Sequence, residues 1–306
     1  MQLSANQRRQ FDDEGYVVVK DLFTSADLQP VIDELRGEID RRARRLVADG
    51  TLSRTYAEEG FETRLSRIMD ETEELYWSIS SGKLDGPALF DLLVHPGLLE
   101  LIEGLVGPEI ISSAYRLRPK VPGFYHGIVP WHQDSGYFEP FCDRALLVTV
   151  WIPLVDATPE RGCLQVIPGV HRGPIAEHVR RPEIKYLEIP SSAMPAGDAV
   201  TVPVPKGGAL LLTNRTPHCS TENTTDVIRW SLDFRYQGGD APTNFEAAPG
   251  EPFRERQPDE PPACYPPEAD FLVRSRARPE AVVRTWERFQ ALRRGHASLP
   301  LTARWP

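Results

Sequence analysis

Cysteine is scarce in this chain, positive charge is in the minority, and no apolar run is long enough for a membrane helix. The 306 residues include four cysteines, Cys142, Cys163, Cys219 and Cys264, scattered without any C-x-x-C pair. That pattern calls for neither a disulfide framework nor a thiolate zinc site, and it fits a reducing compartment. No 18-residue apolar stretch occurs, and Met1 to Arg9 lacks the apolar core of a secretory leader, so no membrane span is expected. Ala303-Arg304-Trp305-Pro306 is not a peroxisomal address, which leaves a cytoplasmic location as the expectation. Lys and Arg number 35 against 44 Asp and Glu, a formal net charge of -9. A nucleic-acid or anionic-membrane surface needs the opposite balance. The one dense basic run, Arg41-Arg42-Ala43-Arg44-Arg45, reads as the solvated face of a helix. There is no internal repeat, and nothing indicates an obligate protein partner.

With 41% hydrophobic and 26% charged residues, the chain can bury a full core. A single domain is expected in three parts: a mainly helical stretch over 1–108, a β core over 109–237, and a Pro-rich arm with a final helix over 238–306. In the first part, Ser4 to Glu14 reads as a short helix, broken by Gly15 before the strand-like Tyr16-Val17-Val18-Val19-Lys20. Thr24 and Asp27 form a capping-box pattern that opens a helix with apolar residues at Leu28, Val31, Ile32, Leu35, Ile39 and Leu46. Phe61 to Met69 and Glu71 to Ser78 have helical character, Ser80 to Gly86 reads as a loop, and Pro96 opens another helix that closes at Gly107-Pro108. The stretch 51–91 and the Pro-rich arm are candidates for covering a site.

From Glu109 the hydrophobic period changes to that of strands. Ile110 to Arg118, the very apolar Ala145 to Leu154, Leu164 to Ile167, Tyr186 to Ile189, Ala199 to Val204, Ala209 to Thr213 and Val227 to Tyr236 follow one another, most separated by Gly- or Pro-bearing turns. About eight short strands with few intervening helices predict an antiparallel sandwich or barrel. Residues 241–268 carry eight prolines, which excludes a central strand. A last helix is expected from Pro279 through Val282, Val283, Trp286, Phe289 and Leu292.

Chemistry concentrates at Trp131-His132-Gln133-Asp134. On a strand, His132 and Asp134 would point to the same face, giving two adjacent metal ligands. His218, in Thr216-Pro217-His218-Cys219-Ser220 at the end of a loop, is the candidate third. Two imidazoles and a carboxylate form the facial triad of non-haem Fe(II) sites, with coordination positions left open. Arg229 lies eleven residues beyond His218 inside the apolar run Val227-Ile228-Arg229-Trp230-Ser231-Leu232. A guanidinium there is costly unless an anion meets it, and its planar fork suits a carboxylate. Ser231, two residues on, shares its strand face.

With Gly162-Cys163-Leu164-Gln165-Val166-Ile167-Pro168-Gly169-Val170-His171-Arg172, His218-x-Ser220 and Arg229-Trp230-Ser231-Leu232-Asp233-Phe234-Arg235-Tyr236 added, residues 10–240 resemble the phytanoyl-CoA dioxygenase (PhyH) family of Fe(II)/2-oxoglutarate oxygenases. The resemblance implies a mainly β chain with flanking helices around a double-stranded β-helix (jelly-roll, cupin-like) core. It implies iron on His132, Asp134 and His218, with 2-oxoglutarate as cosubstrate and O2 as oxidant. The distal carboxylate of 2-oxoglutarate would be held by Arg229 with Ser220 and Ser231, and Trp151 sits near a cosubstrate-contacting position. The implied activity is that of a dioxygenase, an oxidoreductase that hydroxylates a small-molecule substrate and releases succinate and CO2. Two rivals stay open: a cupin-type metalloenzyme without 2-oxoglutarate, and a non-catalytic metal- or ligand-binding barrel. His171 is expected in a turn and hydrogen-bonding role, and His126 and His178 as structural histidines, His126 being also a substrate-side candidate. Arg116, Arg118 and Lys120 are candidates either for an anionic ligand or for the rim of the core.

Overall fold

The structure is a computed structural model that describes residues 1–80, 86–138, 140–180, 186–239, 241, 271–296 and 305. The expected Pro-rich arm thus lies outside the described residues, apart from Ala241.

The N-terminal part is built as its caps dictate. Helix α1 (Ala5–Glu14) starts at a Ser4/Gln7 capping box and ends at Gly15, whose left-handed φ of +81° turns the chain into strand β1 (Tyr16–Val19). Helix α2 (Ser25–Ala48) opens on the Thr24/Asp27 box and buries Leu28, Val31, Ile32, Leu35, Ile39 and Leu46. Short helices α3 (Arg64–Met69) and α4 (Glu74–Ser78) follow, then α5 (Pro87–Leu93) and α6 (Pro96–Val106), both with Pro in the first turn. Helix α5 falls where no helix is expected from the sequence. The Glu34 carboxylate, on α2, accepts from the N–H groups of Ala88 and Leu89, so a distant side chain supplies its N-terminal partners.

The strands are β2 (Ile110–Lys120), β3 (Leu147–Pro153), β4 (Leu164–Val166), β5 (Val179–Arg180), β6 (Leu187–Glu188), β7 (Val200–Val202), β8 (Ala209–Thr213), β9 (His218–Ser220), β10 (Arg229–Gly238) and β11 (Phe271–Arg274). A six-stranded sheet runs β1-β8-β3-β10-β2-β11, and a three-stranded sheet runs β7-β4-β9. All their pairings are antiparallel. The two sheets form the expected jelly-roll core with helices outside it.

The period of two along each strand separates two interiors. The outer face of the large sheet, with Val17, Val19, Val148, Val150, Ile152, Leu232 and Phe234, shares one apolar core with α2, α5 and α6. The inner face, with Tyr16, Trp151, Leu210 and Leu212, packs towards Leu164, Val166 and Val202 of the small sheet. Between the sheets lies the cavity described below.

The last helix, α7 (Trp286–His296), starts later than the expected Pro279. Val283 donates its N–H to the Leu272 carbonyl beside β11, so the backbone before Thr285 is committed to the sheet edge.

Gly15 joins this frame to the later loop. Its carbonyl accepts from Thr213 N–H and from Thr216 Oγ1 at 2.7 Å, and a Cβ built on it would lie 2.6 Å from both His171 Cγ and Thr216 Oγ1. We therefore predict that Gly15→Ala is destabilised by roughly 1–2 kcal/mol from the left-handed backbone, with about 1–3 kcal/mol more from overpacking. Thermal unfolding checks this, and an unchanged midpoint would rule out the assigned role of Gly15.

Candidate metal centre and cosubstrate cavity

The centre begins with a backbone bridge. His132 N–H donates to His218 O at 3.0 Å and His218 N–H donates to His132 O at 2.9 Å, so the two residues face one another as an antiparallel pair. His218 opens β9 and is itself paired with Val166 of β4. Two expectations are corrected here. The H-x-D tripeptide is not on a regular strand: Gln133 is extended, but a 3-10 turn begins at Asp134. His218 is a strand residue rather than the end of a loop, because a three-residue strand behind Pro217 is too short to show a period.

Ligand atoms of His132, Asp134 and His218 nevertheless lie within 4.8 Å of one another, and all three residues are buried. Each imidazole is oriented from behind. Nδ1 of His132 lies 2.9 Å from Pro130 O, and Nδ1 of His218 lies 3.0 Å from Thr216 O. A carbonyl only accepts, so each Nδ1 carries the proton and each Nε2 is left as the electron-pair donor. Burial and the nearby His218 hold the His132 pKa well below its ordinary value, which keeps the ring neutral as a ligand must be.

Asp134 is held in its charged form. Burial alone would raise its pKa, but the charge of Arg235 and the hydrogen bond it donates outweigh that and hold the carboxyl well below the usual range. Arg235 Nη2 donates to Asp134 Oδ1 at 2.6 Å, and Thr149 Oγ1 donates to Oδ2. Gln133, between the ligands, acts as a peg. Its side chain bonds Arg215 O and Ala176 N–H, and its own N–H donates to His178 Nε2 at 3.0 Å. His178 is structural, as expected, but its partner is the metal loop. Trp305 also reaches this loop, donating to Gly136 O at 2.7 Å.

Arg229 opens on the same cavity and is 2% exposed. Its Nη2 donates to Gly162 O at 3.0 Å and its Nη1 to Ser231 Oγ, with the guanidinium 5.0 Å over the Trp151 ring. Its Nε has no partner, and among the described residues no carboxylate pairs with it. Burial lowers its pKa to about 10. Lys120 stands directly across from Arg229 in the β2–β10 register, and its Nζ donates to Ser220 Oγ at 2.7 Å. Burial first, and Arg229 second, push the Lys120 pKa well below its ordinary value.

The cavity has a volume of about 670 Å³ including its open mouth, and Trp151, Ser220, Lys120, Arg229, His132 and His218 are among its lining residues. Ser231 is not, and its hydroxyl accepts from Arg229 Nη1. Tyr76 and Ser80, from the expected covering stretch 51–91, also line it. His171 is away from the cluster, its Nε2 3.2 Å from Asp12 O. His126 is exposed in a short 3-10 turn among Trp77, Phe124 and Tyr125.

The family model for phytanoyl-CoA dioxygenase (PhyH) matches residues 11–231. The chain belongs to this family. The human peroxisomal phytanoyl-CoA dioxygenase is 29% identical over 183 residues, which are 58% of this chain and 50% of that protein. The chain thus spans about half the length of that relative. Bovine phytanoyl-CoA dioxygenase domain-containing protein 1 is 26% identical over 266 residues, covering 76% of this chain and 89% of the relative. Among solved structures, the epimerase SnoN in complex with Fe3+, alpha-ketoglutarate and nogalamycin RO superposes with a TM-score of 0.53 at 21% identity, over 83% of this chain and 94% of that one. The non-haem monooxygenase ThoJ gives 0.53 at 20% identity over 94% and 96%. At that identity the likeness carries the fold.

The sequence reading gave no role to Thr149, nor to Asp233 and Arg235, although these two lie inside the quoted motif Arg229–Tyr236. The signal was present in β10: Arg229, Ser231, Asp233 and Arg235 alternate with Trp230, Leu232, Phe234 and Tyr236, and the whole strand is buried. We predict that Arg235→Met destabilises the metal-free protein by roughly 3–5 kcal/mol, because Asp134 is left as an uncompensated buried charge. The double variant with Asp134→Asn should recover much of that loss in denaturant unfolding. A single-variant loss below about 1 kcal/mol would contradict the pairing.

Proposed function

We propose that this protein is an Fe(II)- and 2-oxoglutarate-dependent dioxygenase that hydroxylates a small molecule with release of succinate and CO2. The observation that carries the reading is Arg229, a buried guanidinium with an orphaned Nε and no carboxylate partner among the described residues. It opens on the same cavity as the His132, Asp134 and His218 cluster. A buried cation of this kind is stabilised by an anion from outside the chain. 2-Oxoglutarate brings a carboxylate at one end and a metal-chelating 2-oxo acid at the other. The donor set also fits iron: two neutral imidazoles and one carboxylate, with room in front of them. Family membership supports the same assignment.

In this reading His132 Nε2, His218 Nε2 and the Asp134 carboxylate hold the metal. Arg229 binds the distal carboxylate, pre-oriented by Gly162 O and Ser231 Oγ, and Trp151 supports the flat face of the guanidinium. Lys120 adds a second donor at the same end, tethered through Ser220. When bound, iron with 2-oxoglutarate and dioxygen supplies the oxidising chemistry that inserts oxygen into a C–H bond. The protein residues fix the ligands, keep Asp134 ionised and wall the cavity from bulk water. A cupin-type enzyme without a cosubstrate has no use for an unpaired Arg229, and a non-catalytic barrel has no use for open metal positions.

His132→Ala, Asp134→Ala and His218→Ala should each lower iron retention and abolish succinate release. Full activity in His218→Ala would move the third ligand elsewhere. Arg229→Ala should retain iron but lose roughly 2–5 kcal/mol of 2-oxoglutarate affinity. The readout is the visible charge-transfer band formed by the chain with Fe(II) and 2-oxoglutarate under anaerobic conditions. Absence of that band in iron-loaded wild-type protein would refute the proposal.

A further inference from the structure

Among the described residues, the guanidiniums of Arg118, Arg229 and Arg235 and the amine of Lys120 line the cavity, and Asp233 is the one carboxylate of that lining, with Asp134 hydrogen-bonded to Arg235. Arg235 is committed to Asp134, and Lys120 and Arg229 face each other at the cosubstrate end. Arg118 remains. Its Nη1 donates to Tyr186 Oη at 3.2 Å, its guanidinium lies 5.4 Å from the Tyr186 ring centre, and its Nε is 3.6 Å from Asp233 Oδ1. Asp233 also stands 3.8 Å from Arg235, so one carboxylate is shared between two guanidiniums and is within hydrogen-bond reach of neither. A quarter of the Arg118 side chain (25%) is exposed, against 9% for Arg235.

Bound Fe2+ and the dianion of 2-oxoglutarate would cancel each other. The described wall would then keep its excess of positive charge, and Arg118 is the most exposed of its three guanidiniums. We infer that the substrate of this site carries a carboxylate, and that Arg118, braced by Asp233 and Tyr186, is the residue that selects it. This rests on the reading under "Proposed function" and adds the substrate class to it. A single guanidinium suits a singly charged, planar carboxylate, which it can engage with two parallel N–H donors. Val129, Leu164 and Leu212, with the Tyr76, Trp151 and Tyr186 rings, give the described lining apolar surface for the remainder of the substrate.

The test uses the full chain loaded anaerobically with Fe(II) and saturating 2-oxoglutarate, which fills the Arg229 site. Hexanoate, phenylacetate and benzoate are titrated beside their methyl esters, read by thermal stability and by perturbation of the charge-transfer band. At least one acid should bind while its ester does not. Arg118→Gln should weaken that acid about 10- to 100-fold, as expected for loss of a charge-assisted pair, and Arg118→Lys should restore part of the loss. Acids that bind no better than their esters, including binding by neither, overturn the inference. So does an Arg118→Gln protein that binds the acid as wild type does, or one that loses the 2-oxoglutarate band, which would place Arg118 in the cosubstrate site. Wild-type protein without the band defeats the underlying reading, and this inference with it.

Discussion

The interior of this protein is constrained by charges that a jelly roll would otherwise exclude. Asp134, Asp233, Arg229, Arg235 and Lys120 are all buried between or beside the two sheets. Each isolated charge there would cost several kcal/mol, so each has to be matched within the chain or by something that enters the cavity. The chain solves part of the problem internally, through Arg235 on Asp134, Thr149 on the other Asp134 oxygen and Lys120 on Ser220. Arg229 remains unmatched and faces the cavity, beside Arg118, which shares Asp233 with Arg235.

Backbone pairing places the metal-capable groups before any side chain acts. The two-way hydrogen bonds between His132 and His218 set their imidazoles side by side, with ring centres 4.2 Å apart. That pair extends the small sheet through β9 and β4. Gly15, the Thr216 hydroxyl and the Gln133 peg then fix the two loops that leave the bridge. The site is thus assembled from segments 86 residues apart in sequence by main-chain hydrogen bonds, with the side chains oriented by carbonyls two residues upstream.

Much of this was legible in the sequence because ligand type, strand period and caps are local signals. Ser4, Thr24 and Pro96 announce their helices, and Arg229 inside an apolar run, with Ser231 two residues on, announces a polar strand face. The strand at His218–Ser220 was not legible, since three residues cannot display a period and their pairing partners lie at Leu164–Val166 and His132. Helix α5 was hidden because seven residues are too few to display a helical period, and its first N–H groups are met by Glu34 on another helix. Arg235 was passed over because an arginine near a strand end usually reaches solvent. Only the fold shows that this one ends at Asp134.

Arg229 and Arg235 sharpen the distinction between structure and function on a single strand. They share residue type, strand face and near-complete burial. Arg235 has a carboxylate at 2.6 Å, and that partner moves its pKa up despite burial. Arg229 has a carbonyl, a hydroxyl and an aromatic face but no anion, and burial moves its pKa down. The first arrangement is complete within the chain and orients a ligand of the metal centre. The second is rigidly held yet electrostatically unfinished, which is the condition of a binding residue prepared for a charged partner. The presence of a carboxylate within hydrogen-bond reach of Arg235, and of none beside Arg229 among the described residues, therefore separates two arginines that sequence period and burial alone treat alike.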